Sequence, residues 1–162
     1  MAYVEISEDL RKMTIPMTEK VLGCVGDRNV RRVYFRMPRY CDGTDLFNYR
    51  IQVHYTNAED TPDYYEVVDK KIEGDRLIFS WLVGRIACVA IGSVSANVKL
   101  RQYDGSIITN EFNSGVGRFK VKASLSGNPY GIKLTDDTGT LVIPSAEEDT
   151  LDIMVLATED EE

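Results

Sequence analysis

The chain contains a single histidine, His54, and any catalytic mechanism that needs a histidine base would depend on it. His54 lies in RIQVHYT at 50–56, where Ile51, Val53 and Tyr55 alternate with polar residues, a pattern typical of a half-buried β-strand. No Ser-His-Asp or Cys-His arrangement can be built without it. We therefore expect a surface or half-buried histidine, no catalytic residues, and a protein that is not an enzyme.

Other reactive residue types occur without the spacing that their chemistry needs. Asp-Asp-Thr-Gly at 136–139 contains the Asp-Thr-Gly of aspartic proteases, but that fold needs two such motifs, so a hairpin turn is the better interpretation. Cys24, Cys41 and Cys88 form neither a CxxC pair nor an even set for disulfides. We interpret these cysteines as reduced, small apolar residues.

Cofactor and metal sites are also not predicted. The glycines form neither a P-loop nor a dinucleotide-binding fingerprint. The acidic loops 42–45 and 57–63 offer oxygen ligands for calcium, but neither has the spacing of an EF-hand. We expect no cofactor and no metal.

The most unusual local feature is a run of arginines with interleaved tyrosines between positions 28 and 40. One interpretation is a platform for single-stranded nucleic acid, and a second is the outer face of a strand whose long side chains cover apolar surface. A third is a protein–protein contact, because Arg and Tyr are favoured at interface hot spots. The candidate interface residues are Arg31, Arg32, Tyr34, Arg36, Arg39 and Tyr40.

Apolar residues recur every second position through most of the chain, which predicts strands and no long helix. About seven strands are expected by residue 125, in VRRVYFRMP, RIQVHYT, DYYEVVDKKI, RLIFSWLV, SVSANVKLRQY, SIITNEF and GRFKVKASL. Turns are predicted at 57–63, 73–75 and Asp104–Gly105. The segment 84–91 fits either a short helix or an irregular crossover. This spacing predicts an all-β, antiparallel β-sandwich, Ig-like or jelly-roll-like.

The predicted core follows from the same alternation and consists of Val33, Phe35, Ile51, Val53, Leu77, Phe79, Trp81, Val98, Leu100, Phe119 and Val121. We divide the chain into an N-terminal arm at 1–13, the β-sandwich domain at 14–125, and an acidic C-terminal appendage and tail at 126–162. That last part could hold a hairpin around 137–139 and a final strand or short helix.

Charge is distributed unevenly along the 162 residues, whose formal net charge is −7. Residues 136–162 contain 10 acidic residues and no Lys or Arg, whereas residues 1–135 have a net charge of +3. We expect the acidic end to pair with a basic surface or to act as a solvated tail. A sequence pI near 4.8 argues against nucleic acid as a partner. No signal peptide or membrane-spanning segment is evident, so synthesis in a cytoplasm is expected.

A succession of short motifs from Ile15 to Val121 resembles the N-terminal domain of baseplate upper proteins from tailed phages and prophages of Gram-positive bacteria. The motifs are Ile-Pro at 15–16, Gly-Asp at 26–27, Asn-Val-Arg at 29–31, Val-Tyr-Phe-Arg-Met-Pro at 33–38, Asp-Gly-x-Asp-Leu at 42–46, RIQVHYTNA at 50–58, LIFSWLVGR at 77–85, Gly92, and Gly-Arg-Phe-Lys-Val at 117–121. The resemblance covers about two-thirds of the chain, and no single motif in it is specific.

The resemblance implies a non-enzymatic structural module of the virion tail baseplate, made in the bacterial host cytoplasm. Its expected partners are tail-tip hub proteins and further copies of itself as a homo-oligomer, with no nucleic acid and no membrane. The resemblance implies that full-length relatives carry the host-recognition protein through a C-terminal region. We do not expect this carrier role here, because residues 126–162 contain no coiled-coil heptads. The alternative from another class is a β-sandwich carbohydrate-binding module for host surface glycans, which would need exposed aromatic residues along a groove.

Overall fold

The computed structural model describes residues 1–125, and the predictions made for 126–162 concern residues outside this range. The described chain is built from strands, with short 3₁₀ turns at Met17–Glu19 and Leu46–Asn48. In chain order the strands are β1 (Val4–Ile6), β2 (Met13–Thr14), β3 (Val21–Cys24), β4 (Arg32–Pro38), β5 (Tyr40–Cys41), β6 (Thr44–Asp45), β7 (Arg50–Thr56), β8 (Pro62–Glu66), β9 (Lys71–Glu73), β10 (Arg76–Leu82), β11 (Gly92–Asp104), β12 (Ile107–Asn113) and β13 (Gly117–Lys122).

Two sheets contain nearly all of these strands. Sheet A has five strands in the order β2-β1-β4-β10-β9. Sheet B has six strands, five of them in the order β3-β13-β11-β7-β8, and β12 pairs with the far half of the long strand β11. Strands β5 and β6 form a separate two-stranded hairpin. The result is the all-β, sandwich-like architecture that the period-two pattern predicts.

The N-terminal residues, which the sequence analysis treated as an arm, contribute two strands to sheet A. Val4 is the Cα partner of Phe35 in a parallel pairing of β1 with β4, and β2 pairs with the other edge of β1. Strand β13 likewise pairs in parallel with β3, while the remaining pairings are antiparallel. The first 24 residues thus supply β1, β2 and β3 to the two sheets.

One apolar core joins the inner faces of the two sheets. Every residue of the predicted core is at most 2% exposed, as the alternation requires. The core also contains residues outside the predicted set, among them Val4, Ile6, Leu10, Leu22, Leu46, Ala87 and Cys88. Most of these lie in very short strands or connections, where a period-two pattern has too few residues to be read.

Trp81 of β10 is fully buried at the contact between the sheets. Its ring lies 5.1 Å from the ring of Tyr55 on β7 and meets the ring of Phe119 on β13 edge-on at 5.8 Å, measured between centroids. Both partners belong to sheet B, whereas β10 belongs to sheet A. Edge-on and tilted aromatic pairs add to the free energy gained by burying the rings, so Trp81 holds the two sheets together.

The predicted strand DYYEVVDKKI is divided between the sheets. β8 ends at Glu66 in sheet B, and β9 begins at Lys71 in sheet A. Asp69, in the crossing segment, accepts hydrogen bonds from the backbone N–H and the hydroxyl of Ser80 at the edge of β10. The sequence pattern continued through this segment and therefore gave no sign that the chain changes sheets.

The turns match their sequence signals. Gly105 has a φ of 65° between β11 and β12, where Asp-Gly predicts a tight hairpin. The turn from β7 to β8 is closed by Asn57, whose side-chain oxygen accepts from the backbone N–H groups of Glu59 and Thr61. Residues 84–91 form turns and bends without helix or strand. Of the two predicted alternatives, a short helix and an irregular crossover, the structure therefore shows the irregular crossover.

Replacing Trp81 tests its role between the sheets. The Trp81→Ala variant should lower the free energy of unfolding by about 3–5 kcal/mol, because it opens a cavity where the sheets meet. Trp81→Phe is the matched control and should cost less than the alanine variant, because it keeps an aromatic ring between the sheets and leaves a smaller cavity. The indole N–H has no hydrogen-bond partner among the described residues, so phenylalanine loses no polar contact. Denaturant melts measure both values, and a loss under about 1 kcal/mol for the alanine variant would contradict this role.

Candidate functional site

The candidate interface residues lie in three places. Strand β4 directs Val33, Phe35 and Met37 into the core and therefore places Arg32, Tyr34 and Arg36 on the outer face of sheet A. Arg39 and Tyr40 lie beyond the end of β4, beside the β5–β6 hairpin. Arg31 precedes β4 and bonds to Glu19 at 3.1 Å. The structure thus brings together three of the six residues as one strand face.

Arg36 is held by residues of the N-terminal strand region. Its guanidinium forms an ion pair with Glu5 of β1, including a 2.9 Å bond from Nε, and lies 4.7 Å from the centroid of the Tyr3 ring. The hydrogen bond to Glu5 raises the pKa of Arg36 above its ordinary value. Glu5 and Arg36 are register partners in the parallel pairing of β1 with β4, which explains why the two side chains meet.

Arg39 is fixed in a similar way at the end of β4. Its Nε and Nη2 donate to the two carboxylate oxygens of Asp45 at 3.1 and 2.8 Å, in a bidentate geometry. The guanidinium also lies 5.1 Å from the centroid of the Tyr40 ring. The hydrogen bond from Arg39 lowers the pKa of Asp45, which also accepts from the backbone N–H of Phe47. One carboxylate of the acidic loop 42–45, that of Asp45, is thus already bound by Arg39.

Arg32 reaches across to the neighbouring strand. Its Nη1 donates to the hydroxyl of Ser80 at 2.9 Å, and that hydroxyl donates to Asp69. Ser80 is fully buried, although it shares the outer-face register with Tyr34. The chain Arg32–Ser80–Asp69 therefore fastens the segment between β8 and β9 to sheet A. No sequence pattern indicated this contact, because its members are distant along the chain.

The outer face of sheet B carries a second group of polar side chains, which the sequence analysis did not assign. Gln52 is 4% exposed and lies at the centre, where its Nε2 donates to Glu66 at 2.9 Å. Its Oε1 is 2.8 Å from Nε2 of His54 and 3.4 Å from Nη1 of Arg101. An amide oxygen only accepts, so Nε2 of His54 carries the proton and Nδ1 is left as an acceptor.

The network continues on both sides of Gln52. On one side Arg50 donates to both oxygens of Glu66 at 3.2 and 3.0 Å. On the other side Glu111 of β12 accepts from Arg101 at 2.8 Å and lies 3.6 Å from the ammonium of Lys99. These side chains connect strands β8, β7, β11 and β12 across the face. The pairing of distant strands creates the network, so only the register could have revealed it.

His54 lies at the border between this network and a shallow cleft. Its ring stacks on the ring of Tyr64 at a centroid distance of 5.3 Å and an interplanar angle of 18°. Burial first, and then the charges of Lys99 and Arg101, hold the pKa of His54 below its ordinary value of 6.5. His54 is therefore neutral at physiological pH. Its proton-bearing nitrogen is bound to an amide and not to a nucleophile.

The three cysteines lie in different surroundings. Cys41 and Cys88 are buried, Cys24 is half-buried, and the described residues contain no disulfide. Burial raises the pKa of the Cys41 and Cys88 thiols, which disfavours the reactive thiolate. Within residues 1–125, no group of three or more His, Cys, Asp or Glu is arranged to hold a metal ion. No helix in this part of the chain is long and apolar enough to span a membrane.

Two packed sheets around one core, with polar outer faces, define the class of this protein as an all-β sandwich domain. No protein-family model and no curated protein matches the chain. Among solved structures, the chain is similar to the N-terminal domain of phage TP901-1 ORF48, with 14% sequence identity and a TM-score of 0.48. That match covers 74% of this chain and 94% of the other chain.

The low pKa of His54 predicts a specific dependence of stability on pH. The unfolded chain protonates His54 near pH 6.5 and the folded chain at a lower pH, so the free energy of unfolding should fall as the pH drops below about 6.5. Denaturant melts of the native chain and of His54→Gln between about pH 7 and pH 5 measure this contribution. As the pH falls from about 7 to about 5, the native chain should lose free energy of unfolding relative to His54→Gln, because glutamine does not titrate.

The carboxylates of the network do not interfere with this measurement. The pKa of Glu111, lowered chiefly by its hydrogen bond from Asn113, lies below the ordinary value of 4.5. Its contribution to stability is therefore present above about pH 4.5 and lost only in more acidic solution. A constant stability difference between the native chain and His54→Gln from pH 7 to pH 5 would contradict the assignment of a depressed His54 pKa.

Proposed function

We propose that this domain is a non-enzymatic structural module of a phage or prophage tail baseplate, and that it attaches to tail-tip hub proteins through the outer face of sheet A. The proposal that the domain belongs to a virion is supported by the resemblance of the segment Ile15 to Val121 to the N-terminal domain of baseplate upper proteins. The surface comes from the geometry of Arg32, Tyr34 and Arg36 on β4.

The outer face of sheet A is proposed as the contact because contacts within the chain already hold its arginines in place. Arg36 is oriented by Glu5 and Tyr3, and Arg32 is oriented by Ser80. Binding normally costs free energy to order long side chains, and this cost falls when they are already held. Arg and Tyr are also the residue types that dominate interface hot spots. The face is therefore suited to a protein partner.

The same contacts make the other interpretations of the arginine run less favourable. A nucleic-acid platform needs cations that are available to neutralise phosphates, and a strongly acidic chain opposes such binding. Here Arg31, Arg36 and Arg39 are each paired with a carboxylate of the same chain. A catalytic role is disfavoured because His54 donates to an amide and has no nucleophile as its partner.

The first test is the composition of the virion and the assembly state. Mass spectrometry of purified phage, or of particles from the induced prophage that encodes the chain, should detect this protein in the tail fraction. Native mass spectrometry of the recombinant chain, alone and with the hub proteins of the same particle, should show a homo-oligomer or a hub complex. A strict monomer that is absent from virions would contradict the proposal.

Substitutions on sheet A locate the contact. Tyr34→Ala and Arg36→Ala should each weaken binding to the hub proteins by about tenfold, which corresponds to about 1.4 kcal/mol. Lys120→Ala is the matched control, because Lys120 is an exposed cation on the outer face of the other sheet. Surface plasmon resonance measures the affinities, and thermal melts confirm that the variants fold. Equal affinities of all four proteins would show that the outer face of sheet A is not the contact.

A further inference from the structure

The outer face of sheet B contains a shallow cleft of about 240 Å³ beside the polar network. Strands β7 and β11 form its floor, where Thr56 is the register partner of Ser95, and His54 is the register partner of Asn97. Pro62 of β8 and Val116, in the connection before β13, add apolar walls. The cleft is smaller than the pockets of about 300–1,000 Å³ that hold drug-sized ligands, so it suits a single ring.

The polar groups of the cleft differ from those of the neighbouring network. The side chains of Gln52, Glu66 and Glu111 are hydrogen-bonded within the network, Gln52 to Glu66 and the two glutamates to nearby arginines. In contrast, Ser95 and Asn97 are half-buried at outer-face positions of β11, and both line the cleft. A hydroxyl and a planar amide, each able both to donate and to accept, are thus directed to the solvent side of the cleft.

His54 adds an aromatic wall and a further acceptor. Its ring is held by the stacked ring of Tyr64 and by its hydrogen bond to Gln52, which leaves Nδ1 as an acceptor. Tyr64 is 53% exposed and extends this aromatic surface at the edge of the sheet. Rings with apolar faces and several hydroxyl groups, as in sugars, match a combination of aromatic, amide and hydroxyl groups.

The neighbouring strand gives the cleft a positive border. Arg118 of β13 is the register partner of Ser95, so the two side chains share the outer face. Arg118, Lys120 and Lys122 are exposed at alternate positions of β13, and none of them forms an ion pair within the described residues. The carboxylate that lines the cleft, Asp63 of β8, lies on the opposite side of the β11–β7 pair, where it accepts from the Tyr55 hydroxyl at 3.3 Å and from the backbone N–H of Tyr64 at 2.8 Å. An acidic group of a ligand would therefore be bound at the β13 side of the cleft, next to Arg118.

From this arrangement we infer that the cleft binds one residue of an acidic saccharide chain, that is, a sugar polymer bearing carboxylate or phosphate groups. Asn97, Ser95 and His54 bind the hydroxyl groups of the sugar ring, and Arg118 binds the acidic group. The site lies on the sheet opposite to the proposed hub contact. Attachment to a tail and recognition of a saccharide could therefore occur together, and one can fail without the other.

The test uses the full chain on an array of bacterial surface glycans that includes uronate-bearing, phosphodiester-bearing and neutral chains. The chain should bind acidic glycans and bind neutral glycans at least about tenfold more weakly. For the best-bound acidic glycan, calorimetry should show that Asn97→Ala and Arg118→Ala each weaken binding by about tenfold. Arg118→Lys should retain most of the affinity, and higher salt should weaken binding because the contact is partly ionic.

Two control variants separate this site from the proposed function. Tyr34→Ala on sheet A should leave glycan binding unchanged, and Asn97→Ala should leave hub binding unchanged. The inference is overturned if no glycan on the array is bound or if neutral and acidic glycans bind equally. It is also overturned if Asn97→Ala, folded by the criterion of its thermal melt, binds the acidic glycan like the native chain.

Discussion

The contact of Trp81 with Tyr55 and Phe119 is the interaction on which the two-sheet arrangement depends. It joins β10 of sheet A to β7 and β13 of sheet B across the core. Successive side chains of a strand point to opposite faces of the sheet. When one set of alternate residues packs into the core, the other set therefore lies on the outer face. The core therefore determines which side chains point inward and which side chains form the two outer faces.

The outer faces of the two sheets have different chemistry. On sheet A and at its end, the arginines are held one by one, Arg36 by Glu5, Arg39 by Asp45 and Arg32 by the hydroxyl of Ser80. On sheet B, a connected network of side chains surrounds the buried amide of Gln52 and borders a cleft with open polar groups. An ordered Arg/Tyr surface suits a protein partner, whereas a ring-sized polar cleft suits a small ligand or one unit of a polymer.

Short segments make a large contribution to this structure relative to their length. Strand β1 has three residues, yet it supplies Val4 and Ile6 to the core and Glu5 to the outer face of sheet A. The segment between β8 and β9 covers the edge of β10 through Asp69. Such segments are too short for a periodic pattern, and their position depends on a hydrogen-bonding partner that is remote in sequence.

The sequence by itself determined the all-β class, the core positions of the longer strands and the tight turn at Asp104–Gly105. Side-chain alternation and turn propensity act between neighbours in the chain, so they can be read without a structure. It also placed Arg32, Tyr34 and Arg36 together on one face, because they are two residues apart on a single strand.

Only the tertiary structure decided the pairing of strands, and with it the partners of these side chains. The parallel pairing of β1 with β4 brings Glu5 to Arg36, and the register of β7 with β11 places His54 beside Asn97. The change of sheet between Glu66 and Lys71 was hidden by a continuous strand pattern. Strand order and register arise from non-local packing and backbone hydrogen bonding, and local sequence does not encode which distant strand will satisfy them.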